Sequence, residues 1–579
     1  MNKIIRRIRA FCWSHKYGLI FISAALLLIR FMFRLLPNLY YVFDEWKLLG
    51  AVYIYGPLGE LKLLTPMEII SGKARFLALL LTNISLYVAP FSALPFAIAS
   101  DVVHLLNAIL LYLIVKKISK SKFLAFFSGL FFITCSVDSQ VFTWIGATYE
   151  SLFALFFSLL AIWLYLIRFD YKRPVNTSLK VSSWICLLLA YYFKETSIVV
   201  LVLFFWFDWM YGKKRSDKLL LTVKNNLIPI LLFCGIGFLR ILTFYVIHGH
   251  PTFAQQTHPS IARIAFHLIY YPLTSLAHFY IPYDYMIKLS IFFYHFQYQF
   301  IPKVFSDVGE TVLNYYIIAD YLSFMITVVL IVAIYFLVLP IKKYRTLLFF
   351  AVLYYFLQHV PLALYDAPKG KAYFESRYYY VLLPSGAIFF SLLLIGIKNL
   401  MKSIVRFEFI AFLIICFVGC GYIYKQAVVM KRDVIAGVEY NQPMKTAMDQ
   451  FIAIRPNLPD KPIILLTGNN TYFGEVDQFI PVLLNPGYAL MVRYYKTGKI
   501  PGELILEPYH FDHGEGYRLV GNKAYGFYTQ ESHLIELLKS NPKLSINQVV
   551  GFYYDGATGT LKDDTQEVQL FLKDSLREY

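Results

Sequence analysis

The sequence predicts a polytopic α-helical membrane protein that carries a soluble α/β domain at its C-terminal end. Of the 579 residues, 58% are hydrophobic and only 16% are charged, and the mean hydropathy of +0.56 is far above that of soluble proteins. Long apolar runs recur up to about residue 430, and Pro, Gly, Asn and Asp return after them. We therefore expect a transmembrane module over residues 1–429 and a soluble domain over residues 430–579.

The apolar runs predict eleven membrane-spanning helices, because a helix needs about 20 apolar residues to cross the hydrocarbon core. The fifth and sixth helices are short, and Lys194 and Glu195 join them. The eleven helices are expected near residues 17–37, 94–117, 123–138, 148–167, 181–194, 196–211, 223–247, 318–341, 346–365, 378–397 and 407–427.

The positions of Lys and Arg predict which side of the membrane each loop occupies. The net charge of +18 first suggests a nucleic-acid partner, but the basic residues form short clusters between apolar runs, so we expect no nucleic acid. With the N-terminus inside, the six short inner segments carry 23 Lys and Arg residues, whereas the outer turn 138–147 carries none and the outer turn 366–377 carries three. A miscounted helix would reverse this pattern, and no reversal occurs. The C-terminal domain is therefore expected outside.

Residues after 430 alternate between strand-like and helix-like patterns, which is typical of an α/β domain. The segments IILLTGNN (463–470), YALMVRYY, ELILEP and GYRLVG are predicted to be strands, and HLIELLKSN and TQEVQLFLKDSL are predicted to be helices. The six cysteines lie mostly in apolar runs and form neither a CxxC pair nor a Cys/His metal spacing. We expect neither a disulfide framework nor a zinc site.

The first outer loop presents two adjacent carboxylates, Asp44 and Glu45, about seven residues after the first helix. Such a pair beside a bilayer can act as a general base or bind a divalent cation, and a solvated loop pair is the alternative. Further charges lie near the membrane on the same outer side, where their cost makes them functional candidates. These residues are Arg75, Glu150, Lys194, Glu195, Asp366, Glu375 and Arg377.

His104 and Asn107 form a polar pair one turn apart on an apolar helix. Either they join neighbouring helices by hydrogen bonds, or they belong to the functional site. We include them among the candidate site residues.

Five segments, taken in order, resemble the GT-C superfamily of integral-membrane glycosyltransferases, and its protein O-mannosyltransferase-like members in particular. The likeness covers roughly residues 10–400 and leaves out the C-terminal domain. The segments are FDEWKLLG in the first loop, DVVHLLNAILLYLIVKKI (101–118), FTWIGATYESLFALFFSLLAIWLYL (142–166), LLLAYYFKETSIVVLVLFFWFDW (187–209) and ESRYYYVLLP (375–384).

This resemblance implies a dolichyl- or polyprenyl-phosphate-sugar donor and inverting transfer of the sugar to a glycan, lipid or protein acceptor. Asp44 would be the catalytic carboxylate, and Glu45 would support it or shape the acceptor site. Lys194 and Arg377, with Arg75 as a third cation, would bind the donor phosphate. Glu150 stands where relatives usually carry Asp.

Two other functions remain open from the sequence. A glycan polymerase or ligase with a lipid-diphosphate donor would also need outer cations. A membrane transporter with an outer receptor domain would predict charges at mid-membrane and an internal repeat, and the sequence presents neither. A bacterial inner membrane with the active site facing the periplasm fits the leading hypothesis, and the endoplasmic reticulum is the alternative. Membrane lipids are expected partners in each case.

Overall fold

The structure is a computed structural model in which helices predominate. Among the residues that the structure describes, eight helices are long and apolar enough to cross a membrane, in agreement with the polytopic class predicted from the sequence. The structure describes residues 2–41, 44–71, 75–171, 175–211, 218–248, 260–300, 308–363, 376–404, 408–469, 486–506 and 515–577.

Two units make up the chain. The first unit comprises Met1–Arg34, Leu64–Leu79 and Ala97–Val434. The second comprises Leu35–Leu63, Leu80–Phe96 and Ile435–Tyr579, so it includes two segments of the first hundred residues. The division at residue 429 that the sequence predicted falls inside one continuous helix, Glu408–Ile454.

Helices account for nearly all of the first unit and for part of the second. The helices of the described residues are α1 (Asn2–Phe33), α2 (Asp44–Tyr55), α3 (Pro66–Ile70), α4 (Phe76–Val88), α5 (Leu94–Ser119), α6 (Lys122–Thr134), α7 (Gln140–Thr143), α8 (Ile145–Ile167), α9 (Val175–Phe193), α10 (Val200–Tyr211), α11 (Lys218–His248), α12 (Ile261–His278), α13 (Tyr283–Phe300), α14 (Val308–Leu337), α15 (Arg345–Ala363), α16 (Leu383–Ile404), α17 (Glu408–Ile454), α18 (Pro486–Tyr494), α19 (Gly502–Ile505), α20 (Glu531–Ser540) and α21 (Thr565–Arg577).

Each of the eleven predicted spans contains a helix among its described residues, but three of these helices are not among the eight long apolar ones. The segment predicted at 123–138 is α6, which has 13 residues, and the segment predicted at 196–211 is α10, which has 12. The segment predicted at 181–194 belongs to α9, which begins with the polar sequence VNTSLK. The number of crossings therefore stays a prediction. The eight candidates are Lys16–Asn38, Leu94–Ser119, Ile145–Asp170, Asn226–Thr243, Ile317–Leu337, Lys342–Ala363, Leu383–Lys402 and Glu408–Ile454.

Close helix packing builds the core of the first unit. Helix α6 packs against α1 and α16, and α8 packs along α9. Gly129 of α6 allows the approach to α1, because a Cβ there would lie 2.5 Å from the ring of Phe21. The hydroxyl of Ser128 donates a hydrogen bond of 2.7 Å to Ser391 of α16, so polar side chains also join the helices.

A five-stranded sheet forms the centre of the C-terminal part of the second unit. The strands are β1 (Ile463–Gly468), β2 (Gly516–Val520), β3 (Lys523–Tyr528), β4 (Val549–Asp555) and β5 (Thr560–Asp563), in the order β2-β3-β1-β4-β5. Strand β1 pairs parallel with both β3 and β4, and the two edge strands pair antiparallel.

Helices cover both faces of this sheet. On one face α20 and α21 bury Leu534 and Leu572 against Ile463 and Val549. On the other face the ring of Phe451, in α17, meets Phe552 at 4.8 Å between centroids. The sheet with helices on both faces agrees with the predicted α/β domain.

Two of the predicted strands are wrong. YALMVRYY lies in helix α18 up to Tyr494 and ELILEP overlaps the helical turn α19, whereas IILLTGNN contains β1 and GYRLVG contains β2. A short buried helix and a buried strand present the same apolar run, so periodicity cannot separate them. Pro486 at the first position of α18 fits a helix start.

Candidate functional site

Four of the charged residues that the sequence singled out form one ion cluster in the first unit. Glu150 lies in the first part of α8, Lys194 and Glu195 follow the end of α9, and Arg75 immediately precedes α4. Glu150 joins two cations, since its Oε1 lies 2.7 Å from Lys194 Nζ and its Oε2 pairs with Arg75 Nη1. We call Arg75, Glu150, Lys194 and Glu195, together with Arg240, the ion cluster.

Arg75 presents its guanidinium edge to Glu195. Its Nε and Nη2 donate hydrogen bonds of 3.0 and 3.1 Å to the two carboxylate oxygens, which is the bidentate geometry that Arg favours. The backbone of Arg75 has φ +47°, a left-handed conformation that costs free energy in a residue with a side chain. The preceding segment is tied to α9, because the hydroxyls of Tyr191 and Tyr192 donate to the carbonyls of Ser71 and Ile70.

Lys194 is the most deeply buried cation of the ion cluster, with 1% of its side chain exposed. Besides the contact with Glu150, its Nζ lies 3.4 Å from Ser151 Oγ and 5.2 Å from the centre of the Tyr378 ring. A buried ammonium group needs a carboxylate and hydrogen-bond acceptors to offset the loss of water. Glu150 therefore offsets the cost of burying the Lys194 ammonium group.

Arg377 lies in a short 3-10 turn, Ser376–Tyr378, and shares the Tyr378 ring with Lys194. Its guanidinium carbon lies 5.2 Å from the centre of that ring and 4.0 Å from the ring of Trp144. The backbone N–H of Arg377 also donates to the side-chain oxygen of Gln140. Trp144 and Gln140 thereby place a half-buried Arg beside the ion cluster.

The sequence missed Arg240, which completes the ion cluster from α11. Its Nη2 lies 3.7 Å from Glu195 Oε1. Three cations then face two carboxylates, which leaves one positive charge, and Arg377 adds another. Burial alone would raise the pKa of the Glu195 carboxyl, but Arg75 and Arg240 hold this pKa at about 2. Glu195 is therefore ionised through neutral and mildly acidic pH.

His104 and Asn107 form a buried hydrogen-bond network with Tyr380. His104 Nε2 lies 3.1 Å from the carbonyl of Ile133, and because a carbonyl only accepts, Nε2 carries the proton. The other ring nitrogen then accepts from the Tyr380 hydroxyl at 2.9 Å, and Asn107 donates to the same hydroxyl and to the carbonyl of Leu152. This geometry favours the helix-joining role, and it also anchors the chain just after Arg377.

Asp44 and Glu45 are the first two residues of α2, in the second unit. Glu45 is 1% exposed, and the Asp44 side chain lies outside the described part of the chain, as do Asp366 and Glu375. The partial positive charge at a helix N-terminus favours carboxylates in this position. The divalent cation at Asp44 and Glu45 stays a prediction. Among the described residues, no three His, Cys, Asp or Glu side chains are grouped to hold a metal ion.

Comparisons with known proteins add one distant structural likeness. No protein-family model matches the chain, and no curated protein matches it. A solved structure, ArnT from Cupriavidus metallidurans in the apo state, aligns over 94% of each chain with 12% identity and a TM-score of 0.35. A superposition this loose transfers neither a fold nor a role, so the functional argument rests on the residues of this chain.

Proposed function

We propose that the protein is an integral-membrane glycosyltransferase that moves a sugar from a polyprenyl-phosphate donor to an acceptor, with inversion at the anomeric carbon. One observation carries the proposal. Arg75, Lys194 and Arg377, the three cations assigned to the donor phosphate from the sequence, lie around Glu150 and Tyr378 in one region of the first unit.

The charge of this region suits a phosphate leaving group. The donor is a phosphodiester with one negative charge, and cleavage of the bond between the anomeric carbon and the phosphate oxygen leaves a monoester with a second one. Fixed cations stabilise charge that develops in the transition state. The positive charge that the ion cluster retains, together with Arg377, supplies this stabilisation.

The accessible guanidinium groups are assigned to direct contact. The side chain of Arg75 is 38% exposed and Arg377 is half-buried, whereas Lys194 is covered. We assign direct contact with the donor phosphate to Arg377 and Arg75. We assign to Lys194, which is covered, a fixed positive charge that acts on the phosphate without touching it. The planar fork of Arg can bind two phosphate oxygens at once.

The acceptor step is assigned to Asp44 through the family resemblance. An acceptor hydroxyl attacks the anomeric carbon while Asp44 takes its proton, and the electron pair of the cleaved bond leaves with the phosphate. Glu45 supports this step or shapes the acceptor site. The acceptor is a glycan, a lipid or a protein, and the proposed location is a bacterial inner membrane with the site facing the periplasm.

A lipid-diphosphate-dependent polymerase or ligase is the second candidate, because it needs the same cations. The lipid that co-purifies with the protein distinguishes the two, since mass spectrometry separates a polyprenyl monophosphate sugar from a diphosphate. A transporter would carry its substrate across without releasing free polyprenyl phosphate.

The cation assignment is tested by donor binding. Arg377→Ala and Lys194→Ala should each weaken the binding of a polyprenyl-phosphate hexose in nanodiscs at least tenfold, and Arg377→Lys should also weaken it because the planar fork is lost. Lys116→Ala, an exposed cation at the basic end of α5, is the matched control and should bind normally. Normal binding in both Arg377→Ala and Lys194→Ala would remove these residues from the site.

A further inference from the structure

We infer that the C-terminal α/β part of the second unit holds helix α2 in the conformation that catalysis requires, with Gly50 as the positioning residue. The inference rests on the proposed function, because α2 matters for catalysis through Asp44, the first residue of this helix and the proposed general base. It assigns to the C-terminal part a role in turnover that the sequence did not predict.

Helix α2 packs directly on α18 and α19, which belong to the same unit. The closest approach is at Gly50. A Cβ there would lie 2.7 Å from Ile505 Cγ2, 2.8 Å from the Tyr488 hydroxyl and 3.3 Å from Val492 Cγ2. Only a residue without a side chain fits this contact. The Tyr488 hydroxyl is itself fixed, because it donates a 2.9 Å hydrogen bond to the carbonyl of Ile505.

The contact continues along one face of α2. Tyr53 and Ile54 lie three and four residues after Gly50, which places all three on the same side of the helix. The Tyr53 ring stacks on Tyr495 with an interplanar angle of 16°. A Cβ at Gly502, the first residue of α19, would lie 3.1 Å from Ile54 Cδ1.

An aromatic cluster holds the beginning of the same helix. Trp46 packs edge-on against Tyr40 and Tyr41, with ring centroids 5.9 Å apart in both pairs, and it also packs against Phe91. The guanidinium of Arg493, in α18, lies 4.1 Å from the centre of the Phe91 ring. Helix α18 therefore contacts α2 directly at Gly50 and indirectly through Phe91.

Close-packed interfaces of this kind have few alternative arrangements. A shift of α18 and α19 would displace the N-terminal turn of α2, and a change at Gly50 should have the same effect from the opposite side. Ala is a better helix former than Gly, so propensity alone predicts that Gly50→Ala is harmless. The packing at Gly50 predicts instead that Gly50→Ala displaces α2 and lowers turnover.

The test uses the full-length protein in nanodiscs with a panel of labelled polyprenyl-phosphate hexoses and pentoses. Gly50→Ala should lower kcat at least tenfold with an unchanged KM for the donor. It should also increase hydrogen exchange of the α2 amides. The control is Gly421→Ala, where a Cβ would meet no atom within 4 Å, and its turnover and exchange should stay normal.

A rescue variant distinguishes displacement of α2 from general damage to the fold. Adding Tyr488→Phe and Ile505→Ala removes the atoms nearest to the new Cβ, so the triple variant should recover at least part of the lost kcat. Full activity and normal exchange in Gly50→Ala, with Asp44→Asn inactive, would overturn the inference and leave the proposed function intact. Equal activity of Asp44→Asn and the wild type would instead remove the proposed function.

Discussion

Glu150 and Arg75 are 75 residues apart in the chain, yet they form one ion pair in the structure. The sequence identified both as candidates because a charge beside long apolar runs is costly and needs a reason to be there. It could not identify their partners, since pairing depends on how α4, α8 and α9 pack. The same argument could have found Arg240, an isolated cation in an apolar run. Trp144 and Tyr378 gave no such signal, because aromatic residues are abundant throughout this chain.

The residue on which the proposed mechanism depends most is Asp44. Asp44→Asn keeps the size of the side chain and removes the carboxylate that would take the acceptor proton. General-base catalysis is typically worth about 10² to 10⁴ in rate, so turnover should fall by that order while donor binding stays unchanged. The measurement is transfer or hydrolysis of a labelled polyprenyl-phosphate sugar, with donor affinity determined separately.

Glu45→Gln is the matched control for Asp44→Asn. Both carboxylates lie in the first turn of α2, where the helix dipole stabilises a negative charge by about 0.3–1 kcal/mol. A purely structural role would therefore give two similar, modest losses of stability and little loss of turnover. Full loss in Glu45→Gln with normal activity in Asp44→Asn would exchange the two roles, and activity in both would show that the family resemblance misassigned the site.

At the scale of elements, the length of an apolar run decided whether its helix was predicted from the sequence. The eight long apolar runs are all helical, because only a helix satisfies so many backbone groups without water. The sequence predicted no helix between the spans at 17–37 and 94–117, although this stretch contains α2 and α4. Helix α4 has 13 residues, and nothing local distinguishes so short an apolar segment from a buried loop.

Helix α4 supplies an element-scale prediction through Asn83, the first residue of an Asn-Ile-Ser sequon. Asn83 is fully buried, and its Nδ2 donates a 2.7 Å hydrogen bond to the carbonyl of Leu58. Asn83→Ala leaves that carbonyl without this donor, at a cost of about 1–3 kcal/mol. The melting temperature in detergent should fall, and no glycan should be found on Asn83 when the protein is made in a glycosylating host.

Asn541→Ala is the matched control for Asn83→Ala. Its Nδ2 also donates to a backbone carbonyl, that of Leu537, but the contact is at the surface. Exposed substitutions of this kind usually change stability by less than about 0.5 kcal/mol. Equal melting temperatures for the two variants would mean that the Asn83 contact does not stabilise the second unit.

At the scale of the whole molecule, the two units interleave along the chain. Composition changes from apolar to mixed sequence near residue 430, and the contacts within the chain divide it between Val434 and Ile435. The domain division at residue 429 stays a prediction. Composition could not assign Leu35–Leu63 to the second unit, because that grouping depends on contacts 400 residues distant in the chain, such as that of Asn441 with the Tyr40 carbonyl. The packing of α2 on α18 and α19 brings the C-terminal part into contact with the helix that begins at Asp44.

The side of the membrane on which the α/β part lies depends on three short helices. Eight crossings would return the chain to the side of its N-terminus, whereas eleven place residues after 430 on the opposite side. The three helices that are counted among the eleven and not among the eight are α6, α9 and α10. The distribution of Lys and Arg favours eleven, because the turns before α6, before α9 and after α10 are all basic, as expected for inner segments.

Cysteine labelling in intact cells or spheroplasts tests this topology with a maleimide that does not cross membranes. Lys122, at the start of α6, and Ala557, between β4 and β5, are both exposed, so a Cys at either position should be reachable from its own side. Ala557→Cys should react in intact spheroplasts, and Lys122→Cys should react only after lysis. The parent protein, with its six native cysteines, gives the background. Protection of Ala557→Cys until lysis would show an even number of crossings, and the α/β part would then lie on the inner side.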